Sequence, residues 1–402
     1  MNVSHERVRQ QIINILRGWG MDEDLVQTTA EAMVETNLLG VDSHGISMLM
    51  AYEQRNIEGK LNLKAKPTIL HETPAMAVVD GQAGLGHPVS VFAMNLAVDK
   101  ALKIGIGGVG VRNSHHFGAT GVYARIASKR GVIGMVTSAT RGITMVPTRG
   151  KIPVLGTNPI AFALPGEPDP VVFDMGTSAT NHGDVILAGR LNNLLPEGVA
   201  VDAEGMPTRD PHAALKGGIL PFGGVHAHKG YGLSFTVQAM GLLAGAALPQ
   251  GQVQDFGFLF VVFDPALLMP AEKFRQELAE LIARVKATPR QPGSALKPFL
   301  VFDALMETGN GTEAALRLQM SQLLEGVISQ RLLPTKDGTA DGRDQVPRSR
   351  PDSTVALCAA SRPVRTRCER DWARDWARNR EQDMTALLRS AGGHALRERP
   401  PY

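Results

Sequence analysis

Val8, Ile12, Ile13 and Leu16 recur at the spacing of one helix face after Ser4, and Arg17-Gly18-Trp19-Gly20 stops the run. A second helix is predicted from Asp22 to about Leu38. Gly40-Val41-Asp42-Ser43-His44-Gly45 interrupts the pattern, and Ile46, Leu49 and Met50 resume it towards Gln54. His44 is therefore expected at the N-terminus of a third helix. From about Met76, short β-branched runs (AVVD, GVGVR, GVIGMVT, TMVPT, IAFALP, VVFDM, FLFVVF) alternate with amphipathic stretches at His87–Lys103, Ala119–Lys129, Lys229–Leu243 and Ala271–Lys286. Several connections are too short for crossover helices. The pattern predicts an α/β (α+β-like) fold with a mixed, largely antiparallel sheet plus a small helical domain.

After Pro292 the character changes. Glu313–Ile328 reads as a helix, Thr335 to Pro351 is polar and turn-rich, and the remainder is Arg-rich with a tandem Asp371-Trp-Ala-Arg-Asp-Trp-Ala-Arg378. Four segments follow: 1–75 helical and carrying Asp42-Ser43-His44-Gly45, 76–292 binding cofactor and substrate, 293–334 a divergent helical segment, and 335–402 a poorly ordered tail.

Gly105-Ile-Gly107-Gly-Val-Gly110 matches the dinucleotide fingerprint G-x-G-x-x-G letter for letter. A true fingerprint follows a strand and opens a helix, whereas here a helical face (Ala93, Leu96, Ala97, Ala101, Leu102) leads in and Val109-Gly-Val111 is itself a strand. The expectation is a non-Rossmann NAD(P)-binding domain. Gly81-Gln-Ala-Gly84-Leu-Gly86 has the right order but the wrong spacing, and reads as a strand-to-helix turn.

Charge alters the picture only at one end. The net +3 conceals a tail from Arg343 to Tyr402 with 13 Arg against 8 acidic residues, leaving the body at −2. The tail has no aromatic-interleaved platform, so nucleic acid is not an expected partner. Both cysteines, Cys358 and Cys368, fall there too, so the body has no disulfide framework and no thiolate metal site. No apolar run approaches the 18 residues of a membrane span, and the start lacks a secretory h-region. A soluble, cytoplasmic enzyme is expected.

Candidate chemistry lies in the histidines. His44 at a helix start would have its protonation disfavoured by the dipole, which suits a proton donor to a carbonyl oxygen; the competing reading is an N-cap cluster with His44 incidental. Ser114-His115-His116-Phe117-Gly118 leaves a strand and enters a helix, and adjacent side chains diverge, so at most one of the two histidines faces a given site. No metal-ligand spacing accompanies them or His226-Ala-His228, and no metal is expected. Gly156-Thr-Asn158-Pro159, Phe173-Asp174-Met175-Gly176-Thr177-Ser178 and His228-Lys229-Gly230-Tyr231-Gly232 are turns that together offer hydrogen bonds and one cation to a phosphorylated ligand.

With these residues in view, the chain from Val8 to about Pro292 resembles the malate/L-lactate dehydrogenase family of type 2. That group includes sulfolactate, ureidoglycolate and 2,3-diketogulonate dehydrogenases and the piperideine- and pyrroline-2-carboxylate reductases. The segments GVDSHG, VRNSHHFGATGVYA, PVLGTNPIAFALP, VVFDMGTSA, LPEGVAVDAEGMPTRDP and HKGYGLS occur in the family's order. The resemblance implies an NAD- or NADP-dependent oxidoreductase, a homodimer, acting on a small 2-oxo or 2-hydroxy acid. It assigns proton transfer to His44, substrate contact to Ser43 and His116, and cofactor contact to Asp174, Met175, Gly176, Thr177, Ser178, Lys229 and Gly230. Arg141 is the candidate partner of the substrate carboxylate, since a guanidinium grips a carboxylate bidentately.

The departures carry information as well. Met48 and Leu39 stand where family members often have arginine, Asp184 where they often have lysine, and Ser294–Tyr402 match nothing in the family. Loss of cations disfavours a dicarboxylate such as malate. Two further readings stay open: a cyclic-imine reductase, and an inactive family-derived protein that acts by binding.

Overall fold

The structure, a computed structural model, describes residues 4–167, 169–245 and 256–289. The predictions for 293–334, 335–402 and the helix at 313–328 lie outside the described residues. Ser4 accepts from the Arg7 amide and starts α1 (His5–Gly18); α2 (Glu23–Leu38) follows. Two 3-10 turns, Asp42–His44 and Ile46–Met48, lead into α3 (Leu49–Ile57). The chain then runs β1 (Thr68–Glu72), β2 (Met76–Gly84), α4 (Gly86–Ile104), β3 (Ile106–Ser114), α5 (Thr120–Lys129), β4 (Ile133–Ala139), β5 (Ile160–Leu164) and β6 (Val171–Met175). It continues through α6 (His182–Arg190), β7 (Ala200–Val201), α7 (Pro211–Ala214), β8 (Gly218–Ile219), α8 (Ala227–Leu243), β9 (Gly257–Phe263) and α9 (Ala271–Lys286).

Seven strands form one sheet in the order β1-β2-β3-β9-β4-β5-β6. Only β2 and β3 run parallel, with α4 as their crossover; the other neighbours are antiparallel. The expected mixed, largely antiparallel sheet is what forms. β9 sits centrally because Gly-Phe-Leu-Phe-Val-Val-Phe is apolar at nearly every position, as a strand covered on both faces requires.

Among the described residues four apolar clusters form, and the two largest position the site. One joins the sheet to α4 and α5 through Val79, Ala97, Val111, Tyr123, Phe258 and Phe260. The other is helical, with Val8, Ile12, Leu16, Val26, Met33 and Tyr52.

The fingerprint glycines serve the first core. Gly105 caps α4 at φ +92, and a Cβ on Gly107 would overlap the Ala97 carbonyl, so α4 lies directly on β3. Helix precedes strand, and a Rossmann phosphate loop is absent from this stretch.

Two expectations are corrected. The TMVPT run makes only isolated bridges, Met145 to Leu155 and to Ile219, because Pro147 cannot donate to a ladder. α6 was not predicted; its cue is Asn181, whose side chain accepts from the Asp184 amide.

Candidate active site

The Asp42–His44 turn is held from α2. Asn37, 1% exposed at the end of that helix, accepts the Ile46 amide on Oδ1 at 2.9 Å. A Cβ on Gly45 would overlap that same side chain, so the residue after His44 must be glycine. Gly45 also separates His44 from the helix beyond. His44 thus belongs to its own 3-10 turn rather than to the N-terminus of α3, correcting the sequence expectation. Its basicity is lowered chiefly by burial, with the charge of Asp184 pulling the other way. Ser43 Oγ lies 2.8 Å from His44 Nδ1, leaving Nε2 as the ring atom available to a ligand.

β3 delivers the second component. After Ser114 the chain pairs with the turn before α4: His115 N–H donates to Gly84 O at 3.0 Å, and Gly86 N–H donates to His116 O at 3.1 Å. A Cβ on Gly86 would overlap the His115 carbonyl, which explains the glycine. Beyond it, Phe117 stacks on Phe258 at 4.3 Å between centroids, and the Tyr123 hydroxyl donates to the Phe117 carbonyl. The loop is therefore clamped on both sides.

The two histidines diverge as their adjacency demands. His115 is buried and gives its Nε2–H to Lys60 O at 2.8 Å, an anchor facing away from His44. His116 turns towards His44, with ring centroids 5.4 Å apart and planes tilted 34°.

His116 Nδ1 accepts from the Tyr52 hydroxyl at 2.8 Å and from the Gly118 amide at 3.3 Å. An amide can only donate, so Nδ1 is an acceptor and the neutral ring carries its proton on Nε2. Burial holds His116 well below the usual histidine range, with His44 and His87 adding to the effect, while burial pushes the Tyr52 phenol up. The phenol therefore stays a donor. His116 is an N–H donor of fixed tautomer beside an imidazole, His44, that has a free ring nitrogen.

The remaining candidates separate into frame and surface. Asp174, opposite Ala161 in the β5–β6 ladder, accepts the Gly121 amide on Oδ2 at 2.6 Å and so anchors the start of α5. Burial pushes its carboxyl up to about 6. Met175 pairs with Ile160 in the same ladder. Thr177 is fully buried, its hydroxyl donating to Thr157 O and Asn158 O at 2.9 and 3.1 Å, while Ser178 Oγ donates to Thr180 O at 2.7 Å. Gly176, between Met175 and Thr177, has no atom nearer than 3.5 Å to a would-be Cβ.

Gly230 is buried against the Phe222 backbone, and Lys229 is exposed in the first turn of α8. Arg141 is partly exposed; its charge, with that of Arg55, bears on His115 rather than on His44. Asn158 proves structural: Oδ1 accepts the Thr140 amide at 3.0 Å, and Nδ2 reaches Ser234 O, Ser234 Oγ and Gln238 Oε1 at 3.1 to 3.2 Å, joining α8 to the ends of β4 and β5.

A nicotinamide cofactor fits this donor set. The exposed Lys229 and the amides opening the long helix α8 suit a diphosphate. Among the described residues no group of three or more metal-ligating side chains occurs. No described helix is long and apolar enough to cross a membrane.

Sequence reading missed Tyr52 and Asn37. Tyr52 follows His44 by eight residues on what looks like an ordinary amphipathic face, and Asn37 resembles a helix-end polar residue.

The comparisons agree with one another. A family model described as malate/L-lactate dehydrogenase matches residues 3–296. The malate/(S)-sulfolactate dehydrogenase of Methanothermus fervidus is 37% identical over 297 residues, covering 72% of this chain and 86% of that protein. A Δ1-pyrroline-2-carboxylate/Δ1-piperideine-2-carboxylate reductase of Pseudomonas putida is 35% identical over 294 residues, covering 69% and 84%. Among solved structures, the sulfolactate dehydrogenase of Methanocaldococcus jannaschii superposes with a TM-score of 0.72 at 32% identity, covering 82% of this chain and 97% of the other.

Proposed function

Because the chain belongs to the malate/L-lactate dehydrogenase family, matched over residues 3–296, we propose that it is an oxidoreductase moving a hydride between NAD or NADP and C2 of a small 2-hydroxy or 2-oxo acid. The observation that carries the reading is the pairing of His44 with His116 at 5.4 Å, one ring with a free nitrogen and the other a locked donor. When bound, the nicotinamide supplies or accepts the hydride. The protein's own task is to orient the substrate and move one proton.

In oxidation, neutral His44 accepts the hydroxyl proton on Nε2, and the resulting imidazolium is stabilised by Asp184. In reduction, that imidazolium returns the proton to the oxygen at C2. His116 Nε2–H donates a hydrogen bond to the same oxygen and stays neutral throughout. Ser43 holds His44 by Nδ1, and Arg141 pairs with the substrate carboxylate. Lys229 and Gly230 at the head of α8, with Gly176 and Ser178, cradle the cofactor; Asp174, Met175 and Thr177 hold that segment in place.

A second reading is favoured by one observation. The charge bearing on His44 is a carboxylate, Asp184, which suits a substrate whose C2 group is cationic, as in a protonated cyclic imine. Segments 1–75 and 76–292 then divide the labour, the first bringing His44 and Tyr52 and the second His116 and the cofactor segment. A cytoplasmic homodimer is consistent with the apolar side chains exposed on α8, Phe235 at 59% and Leu243 at 75%.

The test is a turnover screen with NADH and NADPH against pyruvate, oxaloacetate, and pyrroline- and piperideine-2-carboxylate. Turnover that falls by about 10²-fold or more in His44→Ala supports the reading. No turnover and no saturable binding of either cofactor would leave the inactive, binding-only alternative.

A further inference from the structure

We infer that His87 is a positioning residue for His116, a wedge whose ring fixes the two donors, the Tyr52 hydroxyl and the Gly118 amide, on His116 Nδ1. The inference rests on the reading of His116 as the group that polarises the substrate.

His87 lies in the first turn of α4, one residue after the Gly86 amide that holds the His116 carbonyl. It is fully buried, and neither ring nitrogen has a hydrogen-bond partner among the described residues. Burial of an imidazole without partners is unfavourable, and a hydrocarbon side chain would avoid the penalty. Core packing alone therefore gives no reason for histidine here.

What the ring touches supplies one. It packs T-shaped with the Tyr52 ring, centroids 5.6 Å apart and planes at 79°. A Cβ built on Gly118 would come within 3.1 Å of its Nε2, so the ring also lies against that backbone. Tyr52 and Gly118 are the two residues whose donors converge on His116 Nδ1. No apolar side chain offers a flat five-membered ring. Leucine has the bulk without the plane, and phenylalanine has the plane but presses on Gly118, which is already at φ +79.

Charge acts in the same direction. The groups facing His116 are His44, His87, Tyr52 and Phe256, none of them anionic at neutral pH. With His87 itself held neutral by burial at about 3, a second proton in this cluster is opposed on every side. The proton of the reaction is left to His44, whose protonation Asp184 favours.

The full-length His87→Leu variant tests the inference in two ways. With the substrate found by the screen, kcat should fall about 10- to 100-fold while NAD(P)H binding remains saturable, the size expected for a misplaced catalytic group. Independently of substrate, histidine-selective NMR should show His116, assigned by its loss in His116→Gln, as the Nε2–H tautomer and non-titrating in the wild type. In His87→Leu it should become a mixture of the Nδ1–H and Nε2–H tautomers, because the two donors on Nδ1 are no longer held in place. Tyr52→Phe combined with His87→Leu should cost less than the product of the two single effects, because both act on one hydrogen bond.

An unchanged His116 tautomer in folded His87→Leu overturns the inference, as does strict multiplicativity in the double variant. If His87→Leu yields no folded protein by circular dichroism, His87→Asn is read by the same criteria. Lack of turnover in the wild type would reject the functional reading alone, since the NMR arm still decides the role of His87.

Discussion

The Tyr52 hydroxyl lies 2.8 Å from Nδ1 of His116, a residue 64 positions away in sequence. Joined by the Gly118 amide, this contact chooses which nitrogen of His116 bears the proton. Tyr52→Phe leaves a single weak donor on Nδ1. Turnover should drop about 10- to 100-fold, the loss expected when one oriented donor near the reacting oxygen is disturbed. Steady-state kinetics, with cofactor titration as the control, check this; unchanged kcat would show that the tautomer does not matter.

His44 titrates below the ordinary histidine range because of burial, and Asp184 partly restores its basicity. Oxidation needs the neutral ring, so its rate is lost as pH falls through that lowered pKa. Asp184→Asn removes the restoring charge. The acid limb of kcat/KM for oxidation should then move to lower pH, and a pH profile of both proteins measures it. A limb that stays in place would mean that Asp184 does not act on His44.

Gly45→Ala sets a methyl group against Asn37, whose amide oxygen holds Ile46 at 2.9 Å. Overpacking of this kind destabilises by about 1–3 kcal/mol, and here it also displaces the Asp42–His44 turn. Thermal melts and kinetics together should show a loss of turnover larger than the loss of folded protein accounts for. Proportional losses would indicate a purely structural glycine.

Asp174 couples folding to pH. Burial lifts its carboxyl from 3.8 to about 6, so the folded protein binds this proton more tightly than the unfolded chain. The stabilisation is therefore complete below about pH 4 and is lost as pH rises through about 6, at most about 3 kcal/mol and less for a partly exposed group. Asp174→Asn keeps an acceptor for the Gly121 amide, which Asp174 Oδ2 accepts at 2.6 Å, and removes the titration. Denaturant midpoints below and above this window should draw together in the variant; an unchanged difference would assign the slope to other groups.

Much of this was legible along the chain because it depends on local periodicity. α1, α2, α4, α5, α8 and α9 follow from apolar spacing, and the central β9 from an unbroken apolar run. The fingerprint at Gly105–Gly110 could be set aside from order alone, helix before strand. α6 has no comparable cue because it is only nine residues long and its start rests on one Asn181 side chain. TMVPT misled because β-branched composition outweighed a proline within it.

The sequence by itself determined the family, the element types and the histidine-bearing turns, since these are written in short motifs and in spacing. Which histidine faces which was decided only by the tertiary structure. His115 turns to Lys60 and His116 to His44 because the Gly84–Gly86 turn grips the loop backbone, and Tyr52 and His87 arrive from helices far along the chain. A tautomer depends on the nearest donor in space, and burial of a charge depends on everything around it. Neither quantity has a local signature.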